Sequence, residues 1–337
     1  MARLELAIAN LLGPSSAFAN VYRFFLRDPG LWAVGGSRNQ PLVLYSDDFG
    51  RSFVHWSPPP TRGLRGVHVE ADAVWVVGES GIVVKKKPTE HAAWKRIDLD
   101  VFECLHAIGR DANGRLWILG DNGLVLRSRA GRRRFEKVTT HSSARLLDLF
   151  VEPTCEWLVG DRMVQRTHGK VFIEVRVRHA DARCALNALV RTPSRAVLVV
   201  GDGGLILRST NDGGSWKKIA IDSTVQLEKL VVTRYGIFVI GDRGTLLVSH
   251  DDGRSFVALE SELTGYLFAI VEVPGGLLIG GEGGRIWRLD RAQLALVMRA
   301  AFEARDPLIA ALASRVHDGD DGAELVLDDA LRERGLW

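Results

Sequence analysis

Residues 197–216 read VLVVGDGGLILRSTNDGGSW, and this stretch decides the fold. Its first part is a β-branched apolar run ending in Gly201, which is typical of a buried strand followed by a tight turn. Residues 201–204 predict a hairpin turn, because glycine readily adopts the positive φ that such turns need. Residues 205–208 then predict a second strand, and a polar turn leads from it into Trp216 and an outer strand.

The apolar run ending in glycine recurs along the chain at a nearly constant pitch. Seven copies end at Gly35, Gly78, Gly120, Gly160, Gly201, Gly241 and Gly281. These anchor glycines are separated by 43, 42, 40, 41, 40 and 40 residues. A strand-rich repeat of about 40 residues is typical of a β-propeller with one four-stranded blade per repeat. The sequence therefore predicts an all-β protein, a seven-bladed β-propeller.

The polar turn after the third strand follows the pattern Ser-x-Asp/Asn-x-Gly-x-Ser/Thr-Trp/Phe, known as the Asp box. It occurs at residues 46–53, 209–216 and 249–256. Side chains of Ser, Asp and Asn cap backbone amides in such turns, and glycine takes the left-handed position. Because the box lies on the outer rim of a propeller, it indicates structure rather than a binding site.

The hairpin, the following apolar strand and the Asp box together resemble the bacterial-neuraminidase-repeat propellers. The chain looks most similar to the photosystem II stability/assembly-factor-like family, over residues 16–290. This resemblance implies a seven-bladed propeller that acts as an interaction platform or assembly factor.

Two regions are expected in the chain. Residues 1–289 form the propeller, with residues 3–9 supplying the strand that closes the last blade, since an open blade would leave an unpaired edge. Residues 290–337 change character and predict a helical C-terminal extension, in which Asp306 caps a helix that starts at Pro307. Its apolar stripes must be covered either by the propeller itself or by a partner.

Composition excludes several classes of protein. No apolar run of about 18 residues predicts a transmembrane helix, and the N-terminus does not resemble a signal peptide. The net charge of +3 argues against nucleic acid as the partner. Cys104, Cys155 and Cys184 form no CxxC pair, which favours a reducing compartment, here the cytoplasm. No cofactor, catalytic residue or metal ligand is expected.

Candidate ligand-binding residues come from the innermost strands, which line the central channel of a propeller. Aligning the copies gives a variable row: Ala19, Arg65, His106, Asp148, Asn187, Glu228 and Phe268. A second variable row contains Arg23, Arg110 and Arg191. The polar members of both rows are predicted to bind a ligand or partner at the channel mouth: Arg23, Arg65, His106, Arg110, Asp148, Asn187, Arg191 and Glu228. Water-filled lining is the alternative for the same residues.

Two further charged patterns receive structural interpretations. An acidic residue follows most anchor glycines: Glu79, Asp121, Asp161, Asp202, Asp242 and Glu282. Because it recurs in nearly every hairpin, it is interpreted as turn chemistry. Lys85, Lys86 and Lys87 with Arg132, Arg133 and Arg134 could form a basic rim patch for an acidic partner, although a solvated surface is the favoured interpretation.

The function that these patterns favour is a non-catalytic scaffold or assembly factor that docks proteins on a propeller face and through the helical extension. The alternative is a carbohydrate-binding or sialidase-like propeller. A sialidase needs a tyrosine nucleophile with an acidic partner and arginines for the substrate carboxylate. The four tyrosines are Tyr22, Tyr45, Tyr235 and Tyr266, of which Tyr22 and Tyr266 lie near inner strands.

Overall fold

The fold is a seven-bladed β-propeller followed by three helices, which confirms the predicted architecture. The computed structural model describes residues 7–9, 19–28, 30–37, 39–59, 61–89, 91–129, 134–140, 142–168, 171–175, 184–259, 261–302 and 306–333. Each of its seven sheets contains four antiparallel strands.

The strands follow the chain from the innermost to the outermost position in each blade. Blade 1 consists of β2 (Asn20–Arg27), β3 (Gly30–Ser37), β4 (Gln40–Ser46) and β5 (Val54–His55). Blade 2 consists of β6 (Leu64–Val69), β7 (Val74–Gly78), β8 (Val83–Lys86) and β9 (Lys95–Arg96). Blade 3 consists of β10 (Leu105–Arg110), β11 (Leu116–Gly120), β12 (Val125–Ser128) and β13 (Phe135–Lys137). Blade 4 consists of β14 (Leu146–Val151), β15 (Glu156–Gly160), β16 (Met163–His168) and β17 (Val171–Val175). Blade 5 consists of β18 (Leu186–Arg191), β19 (Val197–Gly201), β20 (Leu205–Ser209) and β21 (Lys217–Ile219). Blade 6 consists of β22 (Leu227–Thr233), β23 (Gly236–Gly241), β24 (Leu246–Ser249) and β25 (Val257–Ala258). Blade 7 consists of β26 (Leu267–Val273), β27 (Gly276–Gly281), β28 (Ile286–Asp290) and β1 (Ala7–Ala9).

Blade 7 joins the two ends of the propeller. Its outermost strand, β1, pairs antiparallel with β28, with Ile8 opposite Trp287. The sequence placed residues 3–9 at this position, and residues 3–6 of that segment lie outside the described residues. The pairing satisfies the backbone edge that β28 would otherwise expose.

The core lies between neighbouring blades, where sheets pack face to face. The second strand of a blade is buried on both sides, and all five residues of β19 are buried. Trp117, Trp157 and Trp287 are among the largest fully buried side chains. Strands buried on both faces explain why these segments read as continuous apolar runs rather than as alternating ones.

The three Asp-box turns share one hydrogen-bond pattern. In blade 1, the amide of Gly50 donates to Ser46 Oγ over 2.7 Å, and the amides of Arg51 and Ser52 donate to Asp48 Oδ1 over 3.0 and 2.9 Å. Burial opposes ionisation of Asp48, but hydrogen bonds from the hydroxyl and amide of Ser52, the hydroxyl of Ser46 and the amide of Arg51 outweigh it and lower the pKa to about 2. The turns therefore have a structural role.

The helical extension packs against the propeller of the same chain. It comprises α1 (Arg291–Phe302), α2 (Pro307–His317) and α3 (Asp321–Glu333). Asp306 caps α2 by accepting a hydrogen bond from the amide of Ile309 over 3.3 Å. Ile309 and Leu312 belong to one buried cluster with Phe238 and Leu277 of blades 6 and 7. The covered face of α2 therefore belongs to the core of the molecule. Among the described helices, none has the length and apolarity that crossing a membrane requires.

Candidate functional site: a ring of bulge residues at the channel mouth

Every innermost strand contains a β-bulge just after the residue that pairs with the anchor glycine. In blade 3, Leu105 pairs with Gly120 and Ala107 pairs with Leu119, so His106 is left out of the register. A bulge turns the extra side chain away from its regular direction. The same shift occurs in all seven blades. The seven residues left out of register, called the bulge ring here, are Tyr22, Arg65, His106, Leu147, Asn187, Glu228 and Phe268.

The bulge ring surrounds a cavity of about 420 Å³, and all seven members line it. Residues just before the inner strands, such as Arg145, Gln226 and Tyr266, complete the wall. The cavity thus opens on the face where the inner strands begin. The helical extension starts at the opposite end of the strands, because β28 runs away from this face before α1 begins. The cavity face is therefore not covered by these helices.

The structure brings together four of the predicted residues in the ring itself: Arg65, His106, Asn187 and Glu228. Two members of the predicted row are out of step. Tyr22 rather than Ala19 occupies the ring in blade 1, and Leu147 rather than Asp148 occupies it in blade 4. The alignment counted one step from the apolar residue taken to open each inner strand, and pairing with the anchor glycine shows that Val21 and Leu146 are the opening residues in blades 1 and 4.

Arg23 and Lys229 occupy the next position along their strands and line the floor of the cavity, and Asp148 holds the same position in blade 4. Asp148 is paired with Arg23 over 2.8 Å and with Lys229 over 3.1 Å. The equivalent positions in the other four blades hold Gly66, Ala107, Ala188 and Ala269. Small residues there leave room for three long charged side chains to meet across the channel.

The floor is a buried ionic cluster. Burial opposes ionisation of Asp148, but Lys229 and Arg23 outweigh it, so its pKa is lowered. Burial lowers the pKa of Lys229, and the nearby Arg23 adds to the effect. A buried charge needs such partners, since an unpaired one is costly.

Arg110 and Arg191 lie outside the cavity, because they occupy the far ends of β10 and β18. Arg110 pairs with Glu70 over 2.8 Å. Arg191 pairs with Glu152 and with Asp212 of the opposite face. The structure therefore separates these two arginines from the other predicted residues.

The turn acids have a role that the sequence interpretation missed, since three of them hold ring side chains. Glu79 Oε1 accepts from Arg65 over 2.7 Å, and Asp202 Oδ1 accepts from Asn187 over 3.1 Å. In blade 3, Asp121 Oδ1 lies 2.7 Å from His106 Nε2. The constant position of these acids after the anchor glycine is visible in the sequence. That they contact the bulge residues of the inner strands is visible only in the folded structure.

The anchor glycine makes this link possible. A Cβ on Gly201 would lie 2.1 Å from the carbonyl oxygen of Ala185, just before β18. The amide of Asp202 donates to that same carbonyl over 3.0 Å. Only glycine allows the two strand ends to approach so closely. This contact fixes the turn acid beside the bulge residue.

Aromatic residues form one side of the cavity. Tyr266 stacks on Phe268 with ring centroids 4.5 Å apart, and Tyr22 meets Phe268 edge-on at 4.9 Å. The Arg65 guanidinium lies 4.0 Å from the centre of the Tyr22 ring. Between the adjacent blades 7 and 6, the Tyr266 hydroxyl donates to Glu228 Oε2 over 3.0 Å. The wall thus combines aromatic, cationic and acidic sectors.

The proposed basic rim patch is only partly exposed. Lys86 is buried with its ammonium 3.9 Å from the centre of the Trp56 ring, and Lys85 lies 4.6 Å from that of Trp75. Lys87 and Arg134 are exposed. Arg132 and Arg133 lie outside the described residues. Cation–π contacts thus account for two of the three lysines.

Comparison with known proteins places the molecule among propellers. No protein-family model and no curated protein matches the sequence. Among solved structures, YCF48 bound to D1 peptide matches with a TM-score of 0.66 and 16% identity, over 85% of this chain and 94% of that one. YCF48 from Cyanidioschyzon merolae matches with a TM-score of 0.66 and 12% identity, over 84% and 98% of the two chains.

An enzyme matches equally well. A catalytically inactive virginiamycin B lyase from Staphylococcus aureus with quinupristin has a TM-score of 0.71 and 12% identity, over 85% of this chain and 99% of that one. At such identities the likeness concerns the fold alone. Because the same fold serves binding proteins and enzymes, function must be argued from the site.

Proposed function

We propose that this chain is a non-catalytic, protein-binding propeller that holds a segment of a partner protein at the bulge ring. The observation that carries the proposal is the convergence of one side chain from each blade on a preformed cavity. Its side chains are held by stacking and by ion pairs, so little ordering cost is paid on binding. The structure of YCF48 bound to D1 peptide supports peptide binding by a propeller of this shape.

The chemistry of the wall suits a peptide segment better than a small apolar ligand. Tyr22, Tyr266 and Phe268 offer a surface for an apolar or aromatic side chain, while Arg145, Gln226 and Asp202 offer polar contacts. On the same face, Phe102 is 83% exposed in the loop beside the turn Glu79–Gly81. An exposed aromatic residue next to a polar cavity is a typical anchor of a protein interface.

We place this function in a reducing compartment such as the cytoplasm. Cys104, Cys155 and Cys184, all within the described residues, form no disulfide bond with one another. Thiols in this state favour a reducing environment.

The test compares point variants, because removal of the helical extension would expose the core of blades 6 and 7. Immobilised wild-type chain is incubated with extract of the native host, and bound proteins are identified by mass spectrometry. The variant Leu147→Lys places a bulky charge in the cavity, and Arg195→Asn, on the opposite face, is the matched control. We expect a partner that Leu147→Lys loses and Arg195→Asn retains. If Leu147→Lys still binds the partner and Arg195→Asn does not, the binding site lies on the opposite face of the propeller.

A sialidase-like activity is the second candidate, because the Tyr266–Glu228 pair shares the cavity with Arg23, Arg65 and Arg145. Two features weigh against it. Burial and the Glu228 carboxyl raise the pKa of Tyr266, which disfavours a nucleophile. The arginines are already paired with Asp148, Glu79 and Asp161.

A fluorogenic sialoside separates the two candidates. Hydrolysis by the wild type that disappears in Tyr266→Phe would establish the enzyme. Absence of hydrolysis at high protein concentration would leave the binding function.

A further inference from the structure

Each blade presents three residues to the channel mouth at fixed positions. They are the leading residue before the inner strand, the bulge residue, and the turn residue after the anchor glycine. In blade 5 this triplet is Ala185, Asn187 and Asp202, and in blade 2 it is Gly63, Arg65 and Glu79. The leading and bulge residues are two apart, with a buried leucine between them or, in blade 1, Val21, so both positions face the mouth.

Blade 3 fills the three positions with three different metal-ligand types. Its triplet is Cys104, His106 and Asp121, and one ligand atom from each lies within 4.8 Å of the other two. Cys104 Sγ is 4.0 Å from His106 Nδ1, and His106 Nε2 is 2.7 Å from Asp121 Oδ1. Among the residues that the structure describes, no other group of three histidine, cysteine or acidic side chains is close enough together to hold a metal ion.

We propose that Cys104, His106 and Asp121 form a binding site for a divalent metal ion of the zinc class. Thiolate, imidazole and carboxylate are the three protein ligand types of zinc, at about 2.0 to 2.3 Å from the ion. The ion binds one ring nitrogen of His106, Nε2, in place of its hydrogen bond to Asp121 Oδ1, and the Cys104 thiol, which lies beside Nδ1, turns to supply the third ligand. Its fourth position takes water or a donor atom of a bound ligand, as in zinc sites with three protein ligands.

The surroundings suit this role. Burial lowers the pKa of His106, which keeps the imidazole neutral as a metal ligand requires. One thiolate and one carboxylate neutralise the two charges of the ion. The Arg65 guanidinium nearby is paired with Glu79, which offsets its repulsion. Burial raises the pKa of the Cys104 thiol to about 11, so the ion must displace a proton and binding strengthens with rising pH.

The inference goes beyond the proposed protein binding and does not depend on it, because the metal is detected directly. Full-length protein is reduced, freed of metal with a chelator and titrated with Co²⁺ as a spectroscopic probe of zinc sites. We expect a thiolate-to-cobalt charge-transfer band in the near ultraviolet and tetrahedral ligand-field bands in the visible. Added Zn²⁺ should abolish both.

Variants assign the ligands. Cys104→Ser should remove the charge-transfer band and weaken Zn²⁺ binding by more than about 100-fold, since even loss of a residue behind a ligand costs about 10- to 100-fold. His106→Gln and Asp121→Asn should each weaken it too. Cys155→Ser and Cys184→Ser are the matched controls and should retain both the bands and the affinity.

Two results would overturn the site. One is the absence of cobalt bands in the wild type, and the other is a charge-transfer band that persists in Cys104→Ser. Circular dichroism without metal checks that each variant is folded. If Cys104→Ser fails to fold, iodoacetamide alkylation of the wild type, with and without Zn²⁺, replaces it. Protection of Cys104 relative to Cys155 then supports the site, and equal labelling rejects it.

Discussion

Single glycines set the geometry of the channel mouth. A Cβ at Gly201 would lie 2.1 Å from the Ala185 carbonyl, although its φ of −166° is open to any residue. We therefore expect Gly201→Ala to lower the free energy of unfolding by about 3 kcal/mol, the upper part of the range for overpacking. Urea denaturation followed by fluorescence measures the change.

The neighbouring Gly203 supplies the matched control. It has a φ of +68°, and a Cβ at this position would have no other atom within 4 Å. Asn122 occupies the equivalent position in blade 3 at a φ of 57°. Gly203→Asn should therefore change the free energy of unfolding by less than about 1 kcal/mol. Equal losses in the two variants would contradict the steric argument.

Glu228 makes stability depend on pH. Burial raises its pKa, against the opposing effects of Lys229, Tyr266 and Arg23 and with a contribution from Asp148. The folded protein therefore holds this proton to higher pH than the unfolded chain, and stability falls as pH rises from the ordinary glutamate value of about 4.3 through the raised one.

Glu228→Gln should remove this dependence. Relative to wild type, the variant is expected to gain stability between pH 4 and pH 8, by about 1.4 kcal/mol for each unit by which the folded pKa is raised. Thermal unfolding across this pH range measures the difference, with Glu333→Gln on the exposed end of α3 as the control. A difference that stays constant with pH would show that Glu228 is not held protonated.

The register of the bulge ring shows where sequence reasoning stops at this scale. In blade 4 two adjacent leucines, Leu146 and Leu147, could each open the inner strand, and only the pairing of Leu146 with Gly160 decides between them. Counting back from the anchor glycine narrows the choice, since the residue that opens the inner strand lies 14 or 15 positions before that glycine in every blade. The extra bulged residue is invisible to a period of two.

At the scale of elements, the helices show what patterns do predict. Asp306 before Pro307 and the apolar spacing in α2 gave the helix and its buried residues, because capping and periodicity are local. The surface that covers those residues is a property of the fold. Leu308, the apolar residue next to Ile309 in the same helix, is 52% exposed.

Adjacent residues of α2 therefore test the packing of the extension. Ile309 is fully buried in the cluster that α2 shares with the other helices and with blades 6 and 7, so Ile309→Ala should lower the free energy of unfolding by about 2 to 4 kcal/mol. Leu308→Ala should change it by less than about 0.5 kcal/mol, as is usual at exposed sites. Chemical denaturation of both variants measures the contrast. Similar small losses would mean that α2 does not bury Ile309 in this cluster in solution.

At the scale of the whole molecule, a propeller is a closed ring, and its stability depends on the blade that closes it. Seven equivalent interfaces are each built from neighbouring sheets, so a gap at one blade leaves two sheets without a complete partner. Here the joint is β1 on β28, and it is made by backbone hydrogen bonds between the two ends of the propeller. The spacing of the repeats predicts the number of blades. The pairing of the N-terminal strand with β28 is predicted by a different argument, that the edge of the last blade must be covered.

Deletion of residues 1–9 tests this closure. Without β1, the edge of β28 has unpaired amides and carbonyls, which favour pairing with a second chain. We expect a lower melting temperature and concentration-dependent self-association, measured by calorimetry and analytical ultracentrifugation. Deletion of residues 1–6 is the matched control, because it keeps Ala7–Ala9 and their partners. If both deletions behave like the full chain, the joint contributes no stability; if both associate equally, residues before Ala7 take part in the closure.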